Sequence, residues 1–307
     1  MNKEVLHVIV PYFNHTNARV NRRNLELCLR NLSITPDCRV VLVEGIWNRE
    51  AALPDFSSPL VRHLKFDLQS PIWVKENLIN LGMASLGEEW ECAAWIDKDH
   101  LFLNPEWTRD TVRKLRHCEI LQPWSRVLSL NQDHEPEDLE RVEVFRQQGL
   151  AGLSDPRGME SFCHAREQGG RSGQWGHAWA IRRTCYRLMG GLFDRCIIGG
   201  GDAAFASCLV GDFTPSYLGI YRPALEVLAR ELVKVRTSYV PGTLIHYHHG
   251  DLNRRDYLNR FAILDRAGYD PIADISYAEN GTLKLSNPGL EKAILEYFHS
   301  REEHLIS

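Results

Sequence analysis

The sequence predicts an α/β fold with a mixed, mainly parallel central sheet flanked by helices, and three observations carry that expectation. Short apolar runs alternate with longer mixed segments through the first third of the chain. The mixed segments place apolar residues at helical spacing. Polar residues collect just after the apolar runs, at the carboxyl edge where open α/β sheets bind ligands. Such alternation describes βαβ units, whose strands are covered on both faces and so read as continuous apolar runs.

In chain order, residues 5–10 predict a first strand that stops at Pro11. A helix follows near 18–33, then a strand over 39–43 that stops at Glu44-Gly45 and a weaker one over 61–66. Residues 73–86 predict a second helix, and 92–96 a strand that stops at Asp97. The charged stretch 131–148 predicts part of a helix, and the polar one to Gly169-Gly170-Arg171-Ser172-Gly173 a functional or disordered loop. Residues 176–182 predict a strand, Gly199-Gly200-Gly201-Asp202 the opening of a helix, 239–249 another strand and 253–267 another helix. Asn287-Pro288 supplies a cap and first turn for a last helix reaching about Phe298. This order suggests one domain over 1–270 and a C-terminal extension over 271–307, with no internal repeat.

The 307 residues carry 36 basic and 40 acidic side chains, a formal charge of −4 that excludes a globally basic nucleic-acid footprint. The 22 Gly and 14 Pro show no period, which excludes collagen-like and low-complexity chains. No apolar run approaches the roughly 18 residues that span a bilayer, and no signal peptide precedes the first strand. The expectation is a soluble, unprocessed protein. Eight cysteines without any C-x-x-C pair suit reduced thiols in the cytoplasm better than a disulfide frame or a zinc knuckle.

Three stretches offer chemistry. In Trp95-Ile96-Asp97-Lys98-Asp99-His100, two carboxylates alternate at a strand end, so Asp97 and Asp99 are expected on one face. Paired hard oxygen ligands there suit Mg²⁺ or Mn²⁺ with a substrate diphosphate, although a solvated turn also favours Asp. In Gly199-Gly200-Gly201-Asp202, glycines let backbone approach a ligand and Asp202 stands at a helix start. That position favours the anion a general base needs, and equally suits a simple cap. In His246-Tyr247-His248-His249-Gly250, alternation puts His246 and His248 on one face and His249 on the other, unless the bend at Gly250 turns it. An imidazole joining two carboxylates on a divalent ion is chemically sensible.

Together these stretches resemble the GT-A glycosyltransferases of the family-2 type, especially the galactosyltransferase-like branch, over about residues 6–265. Val10-Pro11-Tyr12-Phe13-Asn14 resembles that family's first strand and nucleotide-binding turn. Residues 73–82 resemble its Asn-Arg-Ala-x-x-x-Asn-x-Gly helix, with Lys75 where arginine is usual. Asp97-Lys98-Asp99 matches its metal motif, Trp175 to Arg183 its following strand, Gly200-Gly201-Asp202 the segment carrying its base, and His249-Gly250 its third metal ligand. The resemblance implies an inverting transfer from a nucleotide sugar, such as a UDP-sugar, to an acceptor hydroxyl on a glycan or other polymer. It implies Mn²⁺ or Mg²⁺ held by Asp97, Asp99 and His249, with Asp202 as base. It implies a nucleotide-sugar site drawn from Pro11, Tyr12, Asn14, Glu44, Lys75, Asn80, Asp97, Lys98, Trp175, Gly200 and Gly201. His246, His248 and Trp179 are further candidates, Trp179 equally readable as core. Gly201 stands where the galactosyltransferases have an acidic residue that holds the acceptor sugar.

The acceptor is expected to be a glycan or, alternatively, DNA carrying hydroxymethylated pyrimidines. The basic stretches 19–30 and 254–260 permit the second, and read more readily as solvated helix faces. A non-catalytic nucleotide-sugar-binding subunit has the same fold. A nucleotidyltransferase would want a basic Gly-rich loop near the N-terminus, and residues 10–17 offer none.

Overall fold

Apolar residues on the first two strands alternate between two cores, which sets the layering. The computed structural model describes residues 5–54, 58–130, 159–168, 173–214, 216–250, 252–256 and 259–303. Strand β1 (Leu6–Phe13) sends Val8, Val10 and Tyr12 into one buried cluster and Ile9 into another. Strand β2 (Cys38–Ile46) divides Val40 and Leu42 from Val41 and Val43 in the same way. Helix α1 (Arg19–Ser33) covers the first face through Leu25, Cys28, Leu29 and Leu32. After β3 (Val61–Asp67), helix α2 (Lys75–Ala84) covers the second face through Leu78, Ile79 and Met83. Gly82 permits that contact, because a Cβ there would lie 2.6 Å from Ile9 Cγ2.

Next come β4 (Cys92–Ile96), β5 (His100–Phe102), α3 (Trp107–Leu115), β6 (Ile120–Gln122), β7 (Arg126–Ser129), β8 (Met159–Glu160) and α4 (Phe162–Glu167). They are followed by β9 (Ala178–Arg182), α5 (Arg183–Met189), α6 (Gly201–Val210), α7 (Arg222–Leu232), β10 (Thr237–Tyr239) and β11 (Thr243–His246). The chain then forms α8 (Ala262–Ala267), β12 (Ile275–Tyr277), β13 (Leu283–Leu285) and α9 (Pro288–Ser300). The main sheet has seven strands in the order β10-β6-β9-β4-β1-β2-β3, all parallel except β9. A smaller sheet, β5-β11-β7-β8, stands beside it, and β12 pairs with β13 alone. The expected mixed, mainly parallel sheet with covering helices is therefore present.

Several boundaries differ from the sequence expectation. β1 runs through Pro11 to Phe13, because its pairing with β2 continues to Phe13↔Gly45 while its pairing with β4 ends at Ile9↔Trp95. Proline is tolerated where a ladder is one-sided. β2 likewise runs through Glu44-Gly45 to Ile46. The strand expected over 239–249 is two strands in different sheets, β10 and β11, separated at Pro241-Gly242. The helix expected over 253–267 is divided near Asp256, whose φ of 42° no helix continues. The helix expected over 131–148 lies outside the described residues.

Asn287 caps α9 by accepting a hydrogen bond from the Leu290 amide, as its spacing before Pro288 suggested. Residues of this last segment, among them Leu285, Leu290, Ile294 and Phe298, join the same core cluster as α2. None of the eight cysteines forms a disulfide, and all but Cys92 are buried. Among the described residues, no helix is long and apolar enough to cross a membrane.

Candidate active site

Asp97 and Asp99 follow the last residue of β4, in the turn that leads into β5. The strand ends at Ile96, so the two-residue alternation expected of them does not apply; the turn instead gathers them. Oxygens of Asp97 and Asp99 and a nitrogen of His100 all lie within 4.8 Å of one another.

Two sets of partners diverge from this turn. Asp97 Oδ1 lies 2.6 Å from Lys75 Nζ, and the same ammonium lies 2.8 Å from Asp202 Oδ2. Lys75 is the first residue of α2, and Asp202 stands in the first turn of α6 behind Gly200, whose φ of 98° suits glycine. One buried ammonium thus joins the strand-end carboxylate to the helix-start carboxylate. Burial pulls the Lys75 ammonium down, but Asp202 and Asp97 overcome it and hold its pKa above the usual lysine value. Burial pushes the Asp202 carboxyl up, with Lys75 opposing.

On the other side, β5 pairs antiparallel with β11 and sets His100 opposite His246. The Tyr247 amide donates to the Asp99 carbonyl at 2.9 Å, which holds the end of β11 against the turn. Asp99 Oδ2 then lies 3.0 Å from His249 Nε2 and 3.8 Å from His246 Nε2. Burial alone would raise the Asp99 carboxyl; Lys98 and the histidines around it hold it well below the usual carboxylate range. Burial lowers His246 and His249, so both imidazoles are neutral near pH 7, the form that ligates metals.

A divalent cation fits this set. Asp99 Oδ1 is buried without a fully formed hydrogen bond, His249 Nε2 accepts from Arg255 and so faces Asp99 Oδ2 as acceptor to acceptor, and one carboxylate plus two neutral imidazoles is a donor set for a first-row ion. Glu303, just beyond α9, faces His249 Nδ1 at 3.4 Å and accepts from Asn21 of α1 at 3.2 Å. It is placed to orient the imidazole from behind, as outer carboxylates do for metal-binding histidines. The Arg255 guanidinium lies 2.8 Å from His249 Nε2.

The histidine pattern differs from the strand alternation expected of it. β11 ends at His246, and His246 and His249, rather than His246 and His248, meet Asp99. His248 accepts a hydrogen bond from Asn24 through its carbonyl and belongs to none of the donor clusters among the described residues. Lys98 reaches Asp99 at 3.2 Å.

The remaining candidates sit as follows. Pro11 and Tyr12 are on buried β1, and Tyr12 receives a hydrogen bond from Asn14, whose amide also ties Ala18 at the start of α1. Glu44 accepts from the Leu53 amide at 2.7 Å and meets His63 at 2.9 Å. Asn80 binds both the amide and carbonyl of Leu192 and accepts from Tyr186, so its side chain pins the turn after Gly190-Gly191. Trp179 is fully buried on β9 and donates to the Trp175 carbonyl at 2.7 Å. Trp175 is half-buried against the main core.

Sequence reasoning passed over Glu76, His100, His177, Arg255 and Glu303. Glu76 occupies the space that a side chain at Gly201 would take, so a Cβ at 201 would overlap its carboxyl. It lines a cavity with Asp202, Trp95, Phe193, Phe205 and Leu228. Burial pushes the Glu76 carboxyl up to about 8, with Lys75 opposing and Asp202 reinforcing. An unfolded Glu titrates near roughly 4.3. The stability tied to this group is therefore complete below that pH and is lost as pH rises through about 8. Glu76→Gln should gain stability on the wild type between pH 5 and pH 8.5 in urea unfolding. Parallel stability curves for the two proteins would refute that origin.

Comparison with known proteins gives remote likenesses only. No family model matches the sequence, and no curated protein matches it. Among solved structures, TarS from S. aureus (residues 1–349) is 12% identical, with TM-score 0.46, covering 97% of this chain and 71% of its own. The mannosyltransferase PcManGT from Pyrobaculum calidifontis, in complex with GDP-Man and Mn²⁺, is 13% identical, with TM-score 0.45, covering 98% and 72%. The catalytic domain of Drosophila β1,4-galactosyltransferase 7, in complex with xylobiose, is 11% identical, with TM-score 0.40, covering 77% of this chain. This chain matches 64% of that galactosyltransferase's length, and at such values function is read from the side chains themselves.

Proposed function

We propose that the protein is a metal-dependent glycosyltransferase that moves a sugar from a nucleotide-sugar donor to an acceptor hydroxyl with inversion. The observation that carries this reading is the D-K-D turn, where Asp99, His246 and His249 gather on one side and Asp97 meets Lys75 and Asp202 on the other. Asp99, His246 and His249 would hold the cation, whose chemistry is to neutralise charge on the departing diphosphate. Two imidazoles among three protein ligands favour Mn²⁺ over Mg²⁺, which prefers oxygen.

Lys75 holds Asp202 Oδ2, and we assign Oδ1 to the acceptor proton. As the acceptor oxygen bonds to the anomeric carbon, its proton passes to Asp202 and the bond from that carbon to the diphosphate oxygen breaks. Glu76 then supplies, from α2, a carboxyl beside the base where residue 201 has no side chain.

Slow transfer to water identifies the donor without knowledge of the acceptor. The wild-type protein with Mn²⁺ should release nucleoside diphosphate from one of a panel of UDP-, GDP-, CDP- and dTDP-sugars, and chelation should stop it. A protein that binds neither Mn²⁺ nor any sugar nucleotide would end this reading and leave the structural alternative.

A further inference from the structure

A second group of donors adjoins this site and shares only His246 with the transfer described above. His100, His177 and His246 each offer a ring nitrogen within 4.8 Å of the others. Their ring centroids are 4.8, 5.2 and 5.2 Å apart. The three come from different places. His100 opens β5, His246 closes β11, and His177 precedes β9 with a φ of 79°. A non-glycine residue in that left-handed region costs backbone energy and points to a functional constraint.

Two of the three outer nitrogens are already anchored. His100 Nδ1 lies 3.0 Å from the Asp97 carbonyl, which only accepts, so Nδ1 carries the hydrogen and Nε2 is left as a lone pair. His246 Nδ1 lies 3.3 Å from Ser129 Oγ. The His177 ring stands edge-on to Trp124 at 5.4 Å. Such outer contacts fix tautomer and ring orientation in metal sites. The inner contact is a single hydrogen shared between His100 Nε2 and His177 Nδ1, 2.7 Å apart.

We propose that His100, His177 and His246 form a second, imidazole-only site for a borderline-soft divalent ion such as Zn²⁺. Binding exchanges the shared hydrogen for the cation: the His177 proton shifts from Nδ1 to Nε2, and both imidazoles stay neutral. Three imidazoles without a carboxylate suit Zn²⁺ and disfavour Mg²⁺ and Ca²⁺. His246 serves both sites, so Zn²⁺ held here withdraws it from Asp99 and His249 and inhibits the Mn²⁺-dependent reaction. That inhibition rests on the proposed role of the Asp99 site; the Zn²⁺ site itself does not.

The test uses the full chain, stripped of metal and titrated with Zn²⁺ against a chromophoric chelator, and separately with Mn²⁺ by electron paramagnetic resonance. His177→Asn is the variant of choice, because Asn tolerates a positive φ. Losing a metal ligand should cost more than losing an outer contact, so His177→Asn should bind Zn²⁺ at least about tenfold more weakly. Its Mn²⁺ affinity should match the wild type, and its hydrolysis of sugar nucleotides should resist Zn²⁺. Unchanged Zn²⁺ affinity in His177→Asn overturns the site. Zn K-edge absorption on the wild-type protein decides independently of any variant: three imidazole scatterers support it, and two imidazoles with a carboxylate oxygen overturn it. Failure of the proposed function has a different signature, namely no Mn²⁺ binding by the wild type or none lost in His249→Ala.

Discussion

Asp202→Asn should reduce transfer by about 10²–10⁴-fold, the range general-base catalysis supplies, while sugar-nucleotide binding with Mn²⁺ stays close to wild type. The expectation follows from the separation of parts. Asp202 lies on the Lys75 side of the D-K-D turn, whereas Asp99, His246 and His249 lie on the other. An asparagine oxygen still accepts from Lys75, so the ammonium keeps a partner and the fold survives. The acid limb of the wild-type rate profile should also sit above the ordinary aspartate range, because burial raises the Asp202 carboxyl and the base works only when ionised. Binding by calorimetry and turnover by product release separate the two effects. Wild-type turnover in the variant would remove Asp202 from the mechanism.

Lys75→Met should destabilise the protein by about 3 kcal/mol, near the lower end for breaking a buried ion pair, because Asp97 and Asp202 remain partly open to water. The loss should shrink as pH falls and the Asp202 carboxyl, raised by burial, protonates. Lys75→Arg, which keeps the charge, should recover most of the stability. Urea unfolding at pH 7 and pH 4.5 measures both variants. A loss below about 1 kcal/mol would match an exposed pair and deny Lys75 its bridging role.

Much of this architecture was legible in the sequence because it is local. β4 occupies the stretch 92–96 that apolar continuity suggested, and Asn287 caps α9 as its position before Pro288 implied. The D-K-D turn and Asp202 at a helix start were readable for the same reason. The histidines were not. Their grouping depends on the antiparallel register His100↔His246, which joins segments far apart in the chain and cannot be seen in either. Strand alternation extended past His246 put His249 on the opposite face unless the bend at Gly250 turned it, whereas the chain leaves the sheet at that point. Pro241-Gly242 was a visible break that the single apolar run concealed. Glu76 was hidden for another reason: a carboxyl filling the volume above a glycine on a different helix leaves no local pattern.

The hydrogen bond from Asn21 to Glu303 spans 282 residues, and the same carboxylate backs His249. During synthesis at roughly 5–20 residues per second, the sheet and the helix bearing Asp202 can assemble well before residue 303 exists. The histidine-bearing wall would acquire its brace only afterwards. A nascent chain would thus own the proposed proton acceptor before it owns a finished cradle for the proposed cation, so competence for that chemistry waits on residue 303.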